Sequence, residues 1–345
     1  MSLLLRSWPA RPSAGAYHRW YSSFQQGDFC ILRHVKTNRR YFIGPLEEQG
    51  HKNVQGGTIY HRDVLGAPVR AIMRTDKNNT GYMAHFPTLE EYVLLAPRAC
   101  TPIYPSDASA IVQMLDLAPG HRVLEAGTGN GSLTLHLARA VAGDGWIDTV
   151  DKRLPHSRAA EKHLERFERG KYRPLVNFHL GALTDVAASL HSQRYDAIVL
   201  DMPDPSPELA SVLPLLHNDR FLVCYLPNMT QVLHLMQTLQ SLPLVMEDCI
   251  ETEWKHWDIR PTVIRQPKHI ADGEPAAAIP ESDKPNDQDD PSAPRSSPSD
   301  VAEPSDNGTS GQQTWVCRPK NFDVHGHTAF LVKLRKCAPA YETTQ

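Results

Sequence analysis

The 345-residue sequence contains no apolar run near the roughly 20 residues that cross a bilayer as a helix, so no membrane association is expected. Its six cysteines (Cys30, Cys100, Cys224, Cys249, Cys317, Cys337) form no C-x-x-C pair, and none stands at zinc spacing from a histidine. That pattern argues against a disulfide framework or a zinc module. It reads as reduced thiols inside a cell, with no metal implied. Acidic residues are absent before Asp28, while Arg6, Arg11 and Arg19 stand among serines, leucines and aromatics. Residues 1–26 therefore read as a mitochondrial transit peptide, with a nuclear address as the alternative. Large apolar residues are scarce over 271–313, which is dense in Pro, Ser and Asp. Within it, residues 271–310 hold ten acids and two bases, a net of −8, which leaves +5 for the rest of a chain whose total is −3. A segment so poor in apolar surface cannot offset chain entropy and reads as a disordered acidic insertion. The mildly basic remainder permits nucleic-acid binding.

What the chain does have is concentrated in residues 123–134, Val-Leu-Glu-Ala-Gly-Thr-Gly-Asn-Gly-Ser-Leu-Thr. An apolar strand meets Glu125, then Gly127, Gly129 and Gly131 alternate, and an amphipathic helical pattern follows. Strand, glycine turn and helix are where an open α/β sheet holds an adenosine cofactor. A dinucleotide site spaces its glycines G-x-G-x-x-G so that the helix N-terminus faces a pyrophosphate. Here the spacing is G-x-G-x-G and a carboxylate precedes it. An acid at that place repels a pyrophosphate and suits a cofactor with a cationic amino-acid end, such as S-adenosylmethionine. The next strand ends in Asp151, 20 residues after Gly131, where a carboxylate can accept both ribose hydroxyls. The expectation is an α/β fold, a Rossmann-type class I methyltransferase sheet, with a small N-terminal β-domain.

Strand-like alternation at 28–32 and 40–43 and a Gly56-Gly57 turn mark that β-domain over 27–87. Thr88 with Glu91 three residues on predicts a capping box. Ser106-Asp107 predicts a second helix over 108–117. Strands are predicted at 122–126, 146–150, 175–179, 196–201, 220–226, 246–253 and 328–335. Helices are predicted at 132–142, 155–168, 182–190, 207–216 and 229–240. The catalytic domain then covers 88–270 plus 314–338, the insertion replaces a connection between its last two strands, and 339–345 is a tail. Asp201 ends the fourth strand beside the first, and the prolines after it stiffen the turn. A solvated acid capping the next helix is the plain alternative for Asp201.

From about Gly27 to Lys336, the insertion apart, the chain resembles the tRNA adenine N1-methyltransferase family, which modifies T-loop adenine 58. It is most similar to the catalytic subunit of the bacterial or mitochondrial-type branch. The carriers are Pro87-Thr88-Leu89-Glu90-Glu91-Tyr92, residues 101–109 (TPIYPSDAS), Leu117-Ala118-Pro119-Gly120 and the glycine loop. They continue with Phe178-His179-Leu180-Gly181, Leu200-Asp201-Met202-Pro203, residues 225–232 (YLPNMTQV), Trp254-Lys255-His256-Trp257 and residues 326–331 (GHTAFL). Departures are Ser206 where the family usually has Trp, Asp151 where Glu is frequent, and Lys255-His256 where Arg-Glu is common. Losing Trp removes an apolar or stacking surface near the base.

The resemblance implies a role for each matching position. Asn130, Gly131, Ser132 and Leu133 wrap the methionine part of the cofactor. Asp151 holds the ribose with His156 close by, Ala182 and Leu183 frame the adenine, and Ile103 packs over the cofactor. Asp201 faces the target base, and Tyr104, Tyr225 and His327 are substrate-side candidates, the two tyrosines equally readable as core residues. The substrate implied is tRNA, and the assembly a homotetramer, or a heterotetramer with a non-catalytic tRNA-binding subunit. Adenine N1 attacks a sulfonium methyl with its own lone pair, so a fixed carboxylate at Asp201 stabilises the cation that develops. Two other readings stay open at this stage. One is a protein carboxyl methyltransferase of the isoaspartyl-repair type, which would lack the N-terminal β-domain. The other is a non-catalytic tRNA-binding subunit, which would lose the glycine loop.

Overall fold

The structure is a computed structural model that describes residues 21–255, 257–264, 312–319 and 327–337. The first 20 residues, most of the acidic insertion and the C-terminal tail lie outside the described residues.

The N-terminal part is built from β1 (Cys30–His34), β2 (Arg40–Ile43), β3 (His51–Val54), β4 (Gly57–Tyr60), the short helix α1 (His61–Val64), β5 (Ile72–Arg74) and β6 (Gly81–His85). An antiparallel sheet runs β2-β1-β6-β5, and β3-β4 is a separate hairpin turning at Gln55-Gly56, one residue before the expected Gly56-Gly57 turn. Period-2 alternation gives this sheet two faces. Cys30 and Leu32 join Phe24, Ile43, Tyr82 and Ala84 in its own core. Phe29, on the opposite face, stacks on Phe42 and meets Tyr92 of the next domain edge-on at 5.5 Å. The domain starts earlier than expected. Phe24 is buried and bridges to Leu65, so residues 21–26 pack with the folded β-domain.

Two helices lead into the catalytic domain. α2 (Leu89–Leu95) carries the predicted capping box between Thr88 and Glu91. Arg40 also donates to Glu91 at 3.0 Å, tying the small sheet to this helix. α3 (Pro105–Met114) begins three residues before its predicted start, with Pro105 in its first turn. Asp107 is consequently inside the helix and fully buried, not a cap.

The main sheet then alternates β7 (Arg122–Ala126), α4 (Ser132–Val141), β8 (Trp146–Asp151), α5 (Leu154–Arg166), β9 (Val176–Leu180), α6 (Leu183–Ser189) and β10 (Tyr195–Leu200). After β10 the single predicted helix over 207–216 is broken into a 3-10 turn, the four-residue α7 (Leu209–Val212) and another 3-10 turn. Pro207 and Pro214 each remove an amide donor there. β11 (Leu216–Leu226), α8 (Met229–Leu239) and β12 (Leu244–Ile250) follow. The strand order is β12-β15-β11-β10-β7-β8-β9, where β15 is Phe330–Lys336. Only β15 runs antiparallel to its neighbours. Both faces are covered. Val123, Ile147 and Val199 point to one layer with Leu135 and Leu164, and Leu124, Val150 and Ile198 to the other with Leu209 and Leu235. Each fully buried side chain of this kind contributes about 1.5–3 kcal/mol.

The chain leaves β7 toward β8 and β9, then crosses back to β10 on the other side of β7. That reversal opens a crevice at the carboxyl ends of β7 and β10. One feature escaped the sequence reading. β13 (Trp257–Ile264) and β14 (Gln312–Pro319) form a hairpin of their own, in register from Trp257–Pro319 to Ile264–Gln312. The acidic segment therefore interrupts this hairpin rather than joining β12 to β15, and Gln312 and Gln313 are strand residues.

Candidate functional site

Three carboxylates converge at the switch point because three neighbouring parallel strands each carry or adjoin one at the carboxyl end. Glu125 lies in β7, Asp151 ends β8, and Asp201 follows β10 directly. In-register pairing of β7 with β8 and with β10 brings those ends together.

Glu125 lies beneath the glycine turn, completely buried. Its Oε2 accepts from Thr134 and Thr149, both at 2.7 Å, which fixes the start of α4 and the end of β8. Its Oε1 has no partner among the described residues. Burial, together with repulsion from Asp201 and Asp151, pushes its carboxyl up to about 7 against the threonine hydrogen bonds. Asp151 is buried as well, and both its oxygens are organised by backbone. Gly129 N–H donates to Oδ2 at 3.1 Å and Arg153 N–H to Oδ1 at 2.8 Å. His156 sits on α5 with Nδ1 3.7 Å from Asp151 Oδ2, buried and without a hydrogen-bond partner.

The turn itself needs glycine for two separate reasons. Gly127 has φ +95°, and a Cβ there would lie 2.0 Å from the Asp201 carbonyl oxygen. The turn and the β10 exit therefore touch backbone to backbone, with Asp201 N–H donating to Ala126 at 2.8 Å. Gly131, at φ +78°, closes against Ala160 and Leu164 of α5. Gly129, between them, faces more open space, its nearest neighbour being the Cys100 sulfur at 3.4 Å. Asn130, Ser132 and Leu133 are all buried at the start of α4, and Ser132 donates to the Ile103 carbonyl at 3.1 Å. That bond draws the 101–104 segment, buried Ile103 included, onto the turn.

Asp201 is half-buried, and its carboxylate has no hydrogen-bond partner among the described residues. Burial and the nearby Asp151 push it up to about 7, with Arg153 opposing. It is not the helix-capping acid. Asp204 takes that role by accepting from Ser206 N–H at 3.0 Å. The Pro203 carbonyl is held by Gln231 of α8 at 2.8 Å, which stiffens the exit turn.

The substrate-side candidates fare unequally. Tyr104 is partly exposed at the start of α3. Tyr225 is half-buried against the core, and its hydroxyl donates to buried Asp107 at 3.4 Å, so its core reading has weight. Burial, with Asp107 and Asp201 nearby, pushes that hydroxyl up. His327 packs at a tilt against Phe330, ring centroids 4.5 Å apart, and both its ring nitrogens are engaged, one by the Pro227 carbonyl at 2.8 Å and one by Glu251. Hydrogen bonding to Glu251 raises its pKa. Leu183 is buried under α6, and Ala182 is exposed at its N-cap. Ser206, where the family Trp would stand, is buried with its hydroxyl unpartnered.

Three residues at the crevice were not singled out as site candidates: Leu180 stood only inside a family segment, and Cys100 and Arg153 carried no signal. Leu180 is 53 % exposed and pairs across the sheet with Asp151, an apolar shelf beside the ribose position. Cys100 and Arg153 reach the same place from a loop and a helix start, and only the fold brings them there.

The residues present fit S-adenosylmethionine. Asp151 retains acceptor capacity on a prefixed carboxylate, Glu125 has a free oxygen under the turn, and the site carries negative potential for a cation.

A profile of the family described as tRNA methyltransferase complex GCD14 subunit matches residues 82–336. The tRNA (adenine(58)-N(1))-methyltransferase TrmI of Thermus thermophilus is 41 % identical over 230 residues, covering 67 % of this chain and 88 % of its own. The catalytic subunit TRM61 of Candida albicans is 27 % identical over 256 residues, covering 72 % and 74 %. Among solved structures, TrmI of Aquifex aeolicus covers 92 % of this chain and 100 % of its own at TM-score 0.62 and 22 % identity. An S-adenosylmethionine-dependent O-methyltransferase from Thermotoga maritima covers 93 % and 97 % at TM-score 0.67 and 21 % identity. The two structural likenesses establish the fold.

Proposed function

This chain belongs to the family of the tRNA methyltransferase complex GCD14 subunit, and from that premise we propose that it is a self-sufficient homotetrameric enzyme acting on mitochondrial tRNA. Its reaction is the S-adenosylmethionine-dependent methylation of N1 of adenine 58 in tRNA. The observation that carries the site assignment is the meeting of Glu125, Asp151 and Asp201 under a glycine turn that touches the Asp201 backbone. The β-domain and the family match leave no support for the isoaspartyl-repair alternative. The intact turn favours a catalytic chain over a tRNA-binding scaffold.

The cofactor supplies an electrophilic methyl group on a sulfonium. Asp151 holds the ribose, and Glu125 sets the turn and faces the amino-acid end. Asp201 receives the target adenine. Ionised, its carboxylate accepts from the exocyclic N6–H and so aligns the N1 lone pair. As N1 gains a carbon the ring becomes cationic, and the same carboxylate stabilises that charge more in the transition state than in the bound substrate. N1 of neutral adenine carries no proton, so no base is needed to start the reaction.

Mitochondrial residence rests on the composition of residues 1–26. The homotetramer rests on similarity to the bacterial enzyme together with an intact turn. In the β13–β14 hairpin, Trp257, Ile259 and Trp315 are more than half exposed, an apolar surface suited to association. Purified chain should methylate a tRNA transcript and leave one with guanine at position 58 untouched. Light scattering should report four chains. A monomer that methylates only after a second subunit is added would favour the heterotetramer.

A further inference from the structure

A second cavity, of about 730 Å³, lies where the N-terminal sheet meets the end of α5 and the turn after it. It is separate from the crevice. His156, beside Asp151, and Arg166, on the cavity wall, are ten residues apart on α5, about 15 Å along the axis. Five cations and two carboxylates line it. Both carboxylates are already matched. Arg169 grips Asp28 through two hydrogen bonds of 2.8 and 2.7 Å, and Lys171 pairs with Glu168 at 3.1 Å. Among the described residues, Arg70 and Arg166 join no ion pair. The cavity thus holds uncompensated positive charge, the opposite of the crevice.

Two unpartnered buried atoms belong to this wall, Arg33 Nε and His85 Nε2. Antiparallel pairing sets Ile31 against His85 and Arg33 against Met83, so Arg33 and His85 share the sheet face turned to the cavity. Arg33 Nε–H is a donor. His85 Nδ1 lies 2.8 Å from the Phe86 carbonyl, which can only accept, so the neutral ring keeps its proton there and Nε2 is an acceptor. A buried donor and a buried acceptor on one sheet face, diagonal across the β1–β6 pair and each without a partner, call for a ligand that supplies the complement of each. The wall is also locally strained. Arg70, Glu168 and Arg169 adopt φ of +70°, +44° and +55°, conformations that non-glycine residues rarely hold. Tyr21 and Phe86, partly exposed, add aromatic surface, with the Arg169 guanidinium 4.1 Å over the Tyr21 ring.

We propose that this cavity grips one ribose–phosphate step of the tRNA backbone, away from the adenine being methylated. The phosphate takes the charge of Arg70 and Arg166 and the Arg33 Nε–H, and a 2′-hydroxyl donates to His85 Nε2. The inference rests on tRNA being the substrate. It adds a second anchoring point that positions the T-arm from the β-domain side. A 2′-hydroxyl partner makes the grip specific for RNA over DNA.

The test uses the full-length protein and a tRNA transcript. The double variant Arg70→Gln/Arg166→Gln should weaken tRNA binding about tenfold or more. Its log Kd against log salt should lose about one unit of slope per phosphate contact removed. S-adenosylhomocysteine affinity and the single-turnover rate at saturating tRNA should stay at wild-type values. His85→Phe should reduce the preference for a T-arm RNA over the same sequence as DNA. If the double variant folds poorly, Arg70→Gln alone, on an exposed side chain, is read by its salt slope. Unchanged tRNA affinity and slope overturn the proposal. So does tight binding of adenosine monophosphate, lost in the double variant, with tRNA binding unaffected, which marks a free-nucleotide site. Failure of the wild-type protein to methylate tRNA at all defeats the function itself and is a separate result.

Discussion

The crevice at the carboxyl edge of the main sheet and the cavity at the β-domain joint are opposites in chemistry and in origin. The crevice gathers three acids, two of them pushed up to about 7 by burial and by one another. The cavity gathers cations whose carboxylate partners are too few. A cationic cofactor and a polyanionic substrate need that division of charge. The crevice is assembled by adjacent strands in strict register, so its geometry follows from the sheet. The cavity is assembled by segments around residues 21, 33, 70, 85 and 166, which only tertiary packing brings together. The lesson is that the catalytic end is encoded by a local motif, and the proposed anchoring end by topology.

The crevice should break most severely at its backbone contact. Gly127→Val places a Cβ into the Asp201 carbonyl at a left-handed φ, and a stability loss of about 3–5 kcal/mol is expected from strain plus overpacking. Gly129→Ala, two residues away at φ +55° with the Cys100 sulfur as its nearest neighbour at 3.4 Å, should cost only about 1–2 kcal/mol, from the left-handed φ alone. Urea unfolding of the two variants checks the contrast. Equal losses would show that the turn is not braced against β10.

Next in size is Asp151→Ala. It removes a charged acceptor and strands the amides of Gly129 and Arg153. Affinity for S-adenosylhomocysteine should fall by about 2–3 kcal/mol, roughly thirty- to a hundred-and-sixtyfold, by calorimetry. Methylation measured at saturating cofactor should recover much of the wild-type rate. Undiminished affinity would remove Asp151 from the site.

The sequence disclosed the crevice well because each of its parts is a local constraint. A glycine at φ +95° or an acid at a strand end is written at one position and read there. Glu125, Gly127, Asp151 and Asp201 were each legible in this way, and the structure brings them to one crevice. The structure adds why Glu125 matters to the turn, through Thr134 and Thr149. Less legible were Leu180, read only as part of the segment from Phe178 to Gly181, and Cys100 and Arg153, whose residue types carry no signal until packing places them. The start of α3 was misread because a Ser-Asp pair resembles a cap, whereas Pro105 already opens the helix. The β13–β14 hairpin was missed because its strands are separated in sequence by the acidic segment. The roles of Tyr225 and His327 depend on bonds to Asp107, Glu251 and Pro227 that no spacing reveals.

The smallest effect is a pH dependence. Groups raised when folded give stability that is lost as pH climbs through the folded value. Glu125 and Asp201, both near 7, should therefore destabilise the cofactor-free protein between pH 6.5 and 8, by up to about 1 kcal/mol each. Histidines lowered chiefly by burial, His61, His136 and His163, act the other way until about pH 7.5, one unit above the free-histidine value, so the acids' share is read from the difference between the wild type and Asp201→Asn. The melting temperature should drop by about 2–4 °C per kcal/mol across that window. Asp201→Asn should flatten part of the drop, and bound S-adenosylhomocysteine, whose ammonium favours ionised acids, should flatten more. Stability that rises over the same window would contradict the coupled-acid description of the crevice.

The central claim is that Asp201 stabilises charge appearing on adenine 58 during methyl transfer. Asp201→Asn keeps the shape and removes the charge, so single-turnover formation of N1-methyladenosine at position 58 of a tRNA transcript is the direct measurement. The account predicts a slowing of about a hundredfold or more, with cofactor and tRNA affinities changed little. A variant that forms N1-methyladenosine at the wild-type rate would contradict it.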